Sequence, residues 1–392
     1  MSDRIDCHQQ SIAMPQFTIP NDTRKRLRAW MLATMICSTV LISSCASPGS
    51  PAPPSAAEQQ PDLVFPPPPD EARFVFERTI LGSSDVVTVD SETRWRRVLT
   101  GETDNSTGFS KPFDVEACQG RIYVSDTVRR SIMMFDVPNG TFSEFGTTEP
   151  GELRKPLGMA VDQDCNVYVV DGTAKRVIVY DQDGDFLSAF GGAKMFERPS
   201  HVDVDADARY AYVVDTGGVG SQQHRVRVFD IATGEHVLDI GERGSEPGQF
   251  NLPRDVAVGR DGRIYVVDGA NFRIQVFESD GTYVDSFGSI GVYPGQFSRP
   301  KGMATDPDGN VYVTDTAFGN FQIFNPEGEL LLYVGTRSET MQPARYMLPA
   351  GIGVDEDGRV YMVDQFFRKV DVFRPAGIGP GEGFLGARAA AP

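Results

Sequence analysis

One short stretch constrains this chain more than any other. Ile264-Tyr265-Val266-Val267-Asp268 returns five more times, as Tyr123-Val-Ser-Asp126, Tyr168-Val-Val-Asp171, Tyr212-Val-Val-Asp215, Tyr312-Val-Thr-Asp315 and Tyr361-Met-Val-Asp364. The tyrosine-to-tyrosine steps are 45, 44, 53, 47 and 49 residues. A near-fixed period of that size marks repeated supersecondary units that bury their faces against one another. Each copy is β-branched and aromatic and is bounded by Asp, Gly or Asn, which reads as a strand between turns.

The clearest repeat, residues 253–288, splits into four alternating runs, Asp255–Val258, Arg263–Val267, Arg273–Phe277 and Tyr283–Phe287. Asp261-Gly262 and Asp280-Gly281 supply two-residue hairpin turns for the first and last pairs. Further copies fall at about 112–146, 156–191, 199–241 and 300–335, the third enlarged by the loop Gly217–His224. The copy at 349–375 has only three strands. Its missing outer strand is supplied by Ala72–Gly82, which matches outer strands such as Phe186–Gly191. A first strand that completes the last sheet closes a ring and removes a free edge. The expectation is an all-β, six-bladed β-propeller closed by an N-terminal strand in the C-terminal blade.

At this level the chain resembles the NHL-repeat family, six-bladed propellers with the pattern P-x-G-[VI]-A-V-D-x-D-G-x-[IVL]-Y-V-x-D-x-x-N-x-R-[IV]-x-V-F-D. Asp268, Asn271 and Arg273 fit the D-x-x-N-x-R element, and Asp171 with Arg176 keeps two of its three residues. The other copies depart from it. The resemblance covers about 72–375 and implies the fold. It leaves function open, because enzymes, sensors and binding scaffolds share that fold.

Arg24-Lys-Arg-Leu-Arg28 precedes a 14-residue mostly apolar run to Ile42, the pattern of a secretory signal and too short for a comfortable membrane span. Ile42-Ser-Ser-Cys45 resembles the bacterial lipobox, which implies cleavage after Ser44 and diacylation of Cys45. Ala46 at the next position points to the outer membrane. The expected organisation is a lipoprotein signal at 1–44, a Pro/Ser/Ala-rich tether at 45–71, the propeller at 72–375 and a flexible tail at 376–392. The formal charge of −17 repels nucleic-acid phosphates, which argues against a nucleic-acid partner.

The aspartates that end each repeated stretch number six, and a single active site does not need six copies. They read as turn formers that accept backbone N–H groups of the following loop. More informative is the position two residues after each blade's proline: Asp114, Gly158, His201, Asp255, Gly302 and Gly351. Phe113, Leu157, Ser200, Arg254, Lys301 and Ala350 stand just before. These line one channel mouth and differ from blade to blade, as an asymmetric site requires. Asp114, His201, Arg254, Asp255 and Lys301 are the candidate binding cluster, against the plain reading of a water-filled entrance.

Phe272, Phe318, Phe321, Phe366 and Phe367 gather in the second-to-third-strand loops of the late blades. They form a candidate protein-docking patch. The competing reading packs them on the tail or on residues 83–110. Cys118 and Cys165, in the first-to-second-strand turns of adjacent blades, form a possible disulfide in an oxidising compartment, if those turns approach closely enough. No C-x-x-C-H or H-E-x-x-H motif occurs, and no metal or cofactor is called for.

The leading expectation is a non-catalytic, lipid-anchored envelope protein that binds a protein or peptide partner through a propeller face. Two alternatives stand beside it. One is a channel-mouth metal-dependent lyase or lactonase-like hydrolase using Asp114, His201 and Asp255. The other is an accessory subunit of an envelope electron-transfer complex.

Overall fold

The computed structural model describes residues 62–88, 99 and 106–386. Five four-stranded antiparallel sheets and one five-stranded sheet make up six blades. Blade 1 runs Pro112–Cys118, Arg121–Asp126, Ser131–Asp136 and Thr141–Phe145, and the same meander recurs from Pro156, Pro199, Pro253 and Pro300. Blade 6 takes its three inner strands from Pro349–Val354, Val360–Asp364 and Lys369–Pro375. Its fourth, Phe74–Ile80, comes from the other end of the propeller and pairs antiparallel with Lys369–Pro375. The ring is therefore closed by the N-terminal strand. The inner strands of neighbouring blades contact one another all the way round.

Each second strand is buried on both faces, so its run is continuously apolar rather than alternating. Its side chains pack into six clusters, one at each blade–blade junction. Met159, Val167 and Ile178 of blade 2 meet Tyr123, Ile132 and Met134 of blade 1. Val363 and Val370 of blade 6 meet Val115 and Val124 of blade 1 at the closure. No blade has a core of its own, and that is the physical reason the repeat must form a ring.

The ends of the propeller differ from the boundaries read in sequence. Val64–Phe65 pairs with Phe74–Val75 as a fifth strand of blade 6, so ordered chain starts inside the span assigned to the tether. The tail expected to be flexible turns back onto the blade 6–blade 1 junction as far as Gly386. Leu385 is buried there, the Phe384 N–H donates to Asp357, and the Arg359 guanidinium donates to the Glu382 carbonyl. Burial of one leucine and two hydrogen bonds offset the entropy of ordering a short glycine-rich segment. Cys45 and the signal lie outside the described residues. Among the described residues, no helix is long and apolar enough to cross a membrane.

Cys118 and Cys165 are joined, with Cα atoms 5.7 Å apart, and tie blade 1 to blade 2. The two turns lie against each other because adjacent blades pack face to face.

Candidate binding site at the channel mouth

The repeated aspartates prepare the mouth. Asp126 Oδ2 accepts the Lys111 N–H at 2.8 Å, and Asp171 Oδ1 accepts that of Lys155 at 3.2 Å. Asp215 Oδ1 accepts the Arg198 N–H at 2.7 Å, and Asp315 Oδ2 accepts that of Arg299 at 2.9 Å. The other oxygen of Asp126 receives the loop N–H groups of Val128 and Arg129, and Asp364 does the same for Phe366 and Phe367. Each buried carboxylate thus fixes the chain entering its inner strand to the loop leaving its second strand. In blade 4 the family element completes this: Asn271 Nδ2 and Arg273 Nε both donate to Asp268 Oδ2, at 2.8 and 3.0 Å.

Immediately after its proline, every inner strand slips register against the second strand. Such a bulge re-aims the next side chains, here into the channel. The resulting cavity has a volume of ≈ 520 Å³. Asp114, His201, Arg254, Asp255 and Lys301, the five residues singled out in sequence, all line it.

His201 crosses the channel. Its Nε2 donates to Asp114 Oδ2 at 2.8 Å, and its Nδ1 lies 2.6 Å from Asp255 Oδ1. The second contact is an ion pair off the N–H axis, not an aligned hydrogen bond. The carboxylates are themselves anchored to neighbouring blades. Asp114 Oδ2 also accepts the Met159 N–H, and Asp255 Oδ2 that of Met303. Two glycines make the crossing possible. A Cβ on Gly158 would stand 2.1 Å from the His201 ring, and one on Gly351 1.9 Å from Asp114 Oδ1. Burial works against protonation of His201, but the Asp255 and Asp114 carboxylates outweigh it and hold the imidazole well above its usual range. The protonated form is thus favoured, with Nε2–H hydrogen-bonded to Asp114 and Nδ1–H set against the Asp255 carboxylate at ion-pair distance only.

His201 also lines a second cavity of ≈ 210 Å³ toward the other end of the channel. That side is acidic, with Glu116, Asp162, Asp203, Asp306, Asp355 and Glu356 among its lining residues. Burial, then the charges of Asp114 and Asp203, push Glu116 well above the carboxylate range. Burial raises Asp203 to about 7. The channel is thus polarised about the Asp114–His201–Asp255 bridge.

The opposite polarity at the larger mouth is what the sequence reading missed. Lys111, Lys155, Arg198 and Arg299 join Arg254 and Lys301 around the cavity. The first four occupy the position just before a blade's proline, across that proline from the two positions compared in sequence. Tabulating that place would have found them. Among the described residues none of the six forms an ion pair. Burial, followed by repulsion from Arg198 and Arg299, depresses Arg254. Burial also lowers Lys301 to about 8; Asp114 and Asp255 oppose that shift, while Arg254 and Lys111 reinforce it. The Lys301 ammonium sits 4.9 Å from the centre of the Phe113 ring.

The late-blade aromatics do not form one patch. Phe321 is fully buried in the blade 5–blade 6 core and presents no surface. Phe272 packs against the blade 4–blade 5 core. Phe318 and Phe367 are half-buried, and Phe366 is 53% exposed. Each third strand begins with its apolar side chains turned into the junction, so only loop positions before it reach solvent. Other apolar side chains stand on the same face. Val128 occupies the blade 1 loop equivalent to Phe366, and Ile290, Val292 and Tyr293, the last 72% exposed, lie on the connection from Phe287 to Pro300. That connection runs between strand ends on the mouth side, since Pro300 pairs with Asp315.

Fold and channel together define a six-bladed β-propeller with a polarised central channel. The NHL repeat model matches residues 250–277 and 297–324, so blades 4 and 5 of this propeller carry NHL repeats. It is 32% identical over 111 residues to the probable peptidyl-alpha-hydroxyglycine alpha-amidating lyase of Caenorhabditis elegans, a match covering 27% of this chain and 30% of the lyase. A 112-residue match at 32% identity to NHL repeat-containing protein 3 of Mus musculus covers 26% and 30%. The chain thus spans less than a third of these relatives. A Bacteroides thetaiotaomicron protein of unknown function superposes with a TM-score of 0.58 over 76% of each chain at 18% identity, which is a likeness of fold.

Proposed function

We propose that this chain is a non-catalytic binding protein, held at the bacterial envelope by lipid on Cys45, that receives a protein or peptide partner on the mouth face of its propeller. One observation carries the reading: the exposed side chains Val128, Ile290, Val292, Tyr293 and Phe366 share that face with the ≈ 520 Å³ cavity. Solvent-facing aromatic and branched side chains around a concave polar centre are the make-up of a docking surface. Catalysis is disfavoured by the state of His201. An imidazolium with both nitrogens against carboxylates can neither accept a proton nor ligate a metal unless the bridge opens.

The test is affinity capture from detergent-solubilised envelopes with the intact protein and with Tyr293→Ser/Phe366→Ser. A specific partner retained by the first and lost by the second supports the reading. A partner retained equally by both overturns the assignment to this face. Stoichiometric metal together with lyase or lactonase turnover would replace it with the enzyme reading.

A further inference from the structure

We propose that the cationic mouth is an oxyanion-binding site and that it takes the carboxylates of an acidic peptide segment. The inference rests on the binding reading above and names the chemistry of what is bound. Six cationic side chains surround one cavity in a chain whose formal charge is −17. The only carboxylates in that lining, Asp114 and Asp255, are bound to the His201 imidazolium. Cations held close together repel, and that repulsion adds to the burial that depresses Arg254 and Lys301. Four of the six have their own backbone N–H held by a buried aspartate, which fixes the point from which each side chain leaves the rim. The arrangement is preorganised for an anion that enters from solvent.

The rest of the lining favours a peptide over a free anion. Phe113, Leu157, Leu348 and Ala350 share the cavity with the cations, and Phe366 follows Gln365 of its rim. A chain with carboxylates and an apolar side chain uses both kinds of surface, whereas a small hydrophilic anion uses only the cations. A nucleic acid is the weaker fit, because its phosphates continue past the mouth over an acidic surface.

The probe is a fluorescein-labelled peptide of four glutamates followed by a leucine, titrated with the full chain and read by anisotropy at low ionic strength. Expected are saturable binding, weakening with salt, and a loss of at least 10-fold in Arg198→Gln/Arg254→Gln/Arg299→Gln, with Arg→Lys at the same positions retaining most affinity. Lys301 faces Asp114, Asp255, Arg254, Lys111 and the Phe113 ring, so a bound carboxylate restores its proton. Affinity should therefore fall between pH 7 and pH 9 in the unaltered chain, and less so in Lys301→Gln. Circular dichroism shows that each variant is folded. Equal binding of a tetralysine peptide, or no effect of the Gln substitutions, overturns the proposal. Binding of citrate without the peptide, or tighter binding of an oligothymidylate, also overturns it. Loss of the native partner in Tyr293→Ser/Phe366→Ser but not in the Gln variants would overturn this inference while leaving the proposed function intact.

Discussion

Replacing His201 by Gln keeps the size of the side chain but removes the only cation between two buried carboxylates. Asp114 is 1% and Asp255 3% exposed, with Glu116 and Asp203 nearby on the acidic side. Breaking a buried ion pair by removing one partner costs about 3–5 kcal/mol, because the remaining charge is left uncompensated. That loss is expected for His201→Gln at pH 7.5, measured by urea unfolding followed in the far ultraviolet. The pH response fixes the cause. In the unaltered chain the raised imidazole pKa gives stability that is complete below about 6.5 and is lost progressively as pH rises from there to the folded-state value. This bridge therefore changes little between pH 5 and 6.5 and gives up at most about 1.4 kcal/mol between pH 6.5 and 7.5. In the variant, burial already raises Asp255 and the opposing imidazolium is gone, so protonation at low pH relieves the charge. The deficit should shrink at pH 5, because protonating the unpaired carboxylates returns more to the variant than the about 1.4 kcal/mol regained by the imidazole of the unaltered chain. Adding Asp114→Asn and Asp255→Asn should recover most of the loss at pH 7.5, because the amide oxygens still accept the Met159 and Met303 N–H groups. A deficit below about 1 kcal/mol, or one that the Asn pair leaves unchanged, would refute the reasoning.

Three further outcomes are expected. Burial raises Asp203 to about 7 and Asp355 to about 6, so the folded state holds protons that the unfolded chain releases, and stability should fall as pH rises from 5 to 8. Asp203 faces the smaller cavity, where water screens it, so Asp203→Asn should flatten that slope by about 1 kcal/mol. Gly158→Ala drives a methyl group into the His201 ring and backbone and should cost about 1–3 kcal/mol, a cost that His201→Gly partly cancels in the double variant. The Cys118–Cys165 link closes a 47-residue separation, and its reduction should lower stability by about 2–4 kcal/mol, seen as a lower urea midpoint with dithiothreitol.

Most of the fold was legible because each blade is a local object. Strand lengths, Asp-Gly turns and the period are written in consecutive residues, and even the closure followed from a missing strand at one end and a spare one at the other. The tail was less so. Leu385 sits among glycines and small residues with no periodic neighbours, and its burial depends on a groove made by blades 6 and 1. The aromatic loops misled for a similar reason. Phe321 and Phe366 look alike in sequence, yet Phe321 starts a third strand facing the junction and Phe366 precedes one.

The sequence alone determined that six equivalent units must stack and close, since none can bury its own faces, and it marked the inner-strand positions that reach the channel. Which of those side chains meet was decided only by the ring. Asp114, His201 and Asp255 belong to blades 1, 3 and 4, and glycine at 158 and 351 leaves the room for them to touch across the axis. The same closure sorted charge. A total of −17 conceals a mouth with six cations, because curvature gathers one or two residues from each of five distant repeats while acidic side chains line the other end of the channel. Net charge is a sum over the chain, and binding depends on how the fold distributes it.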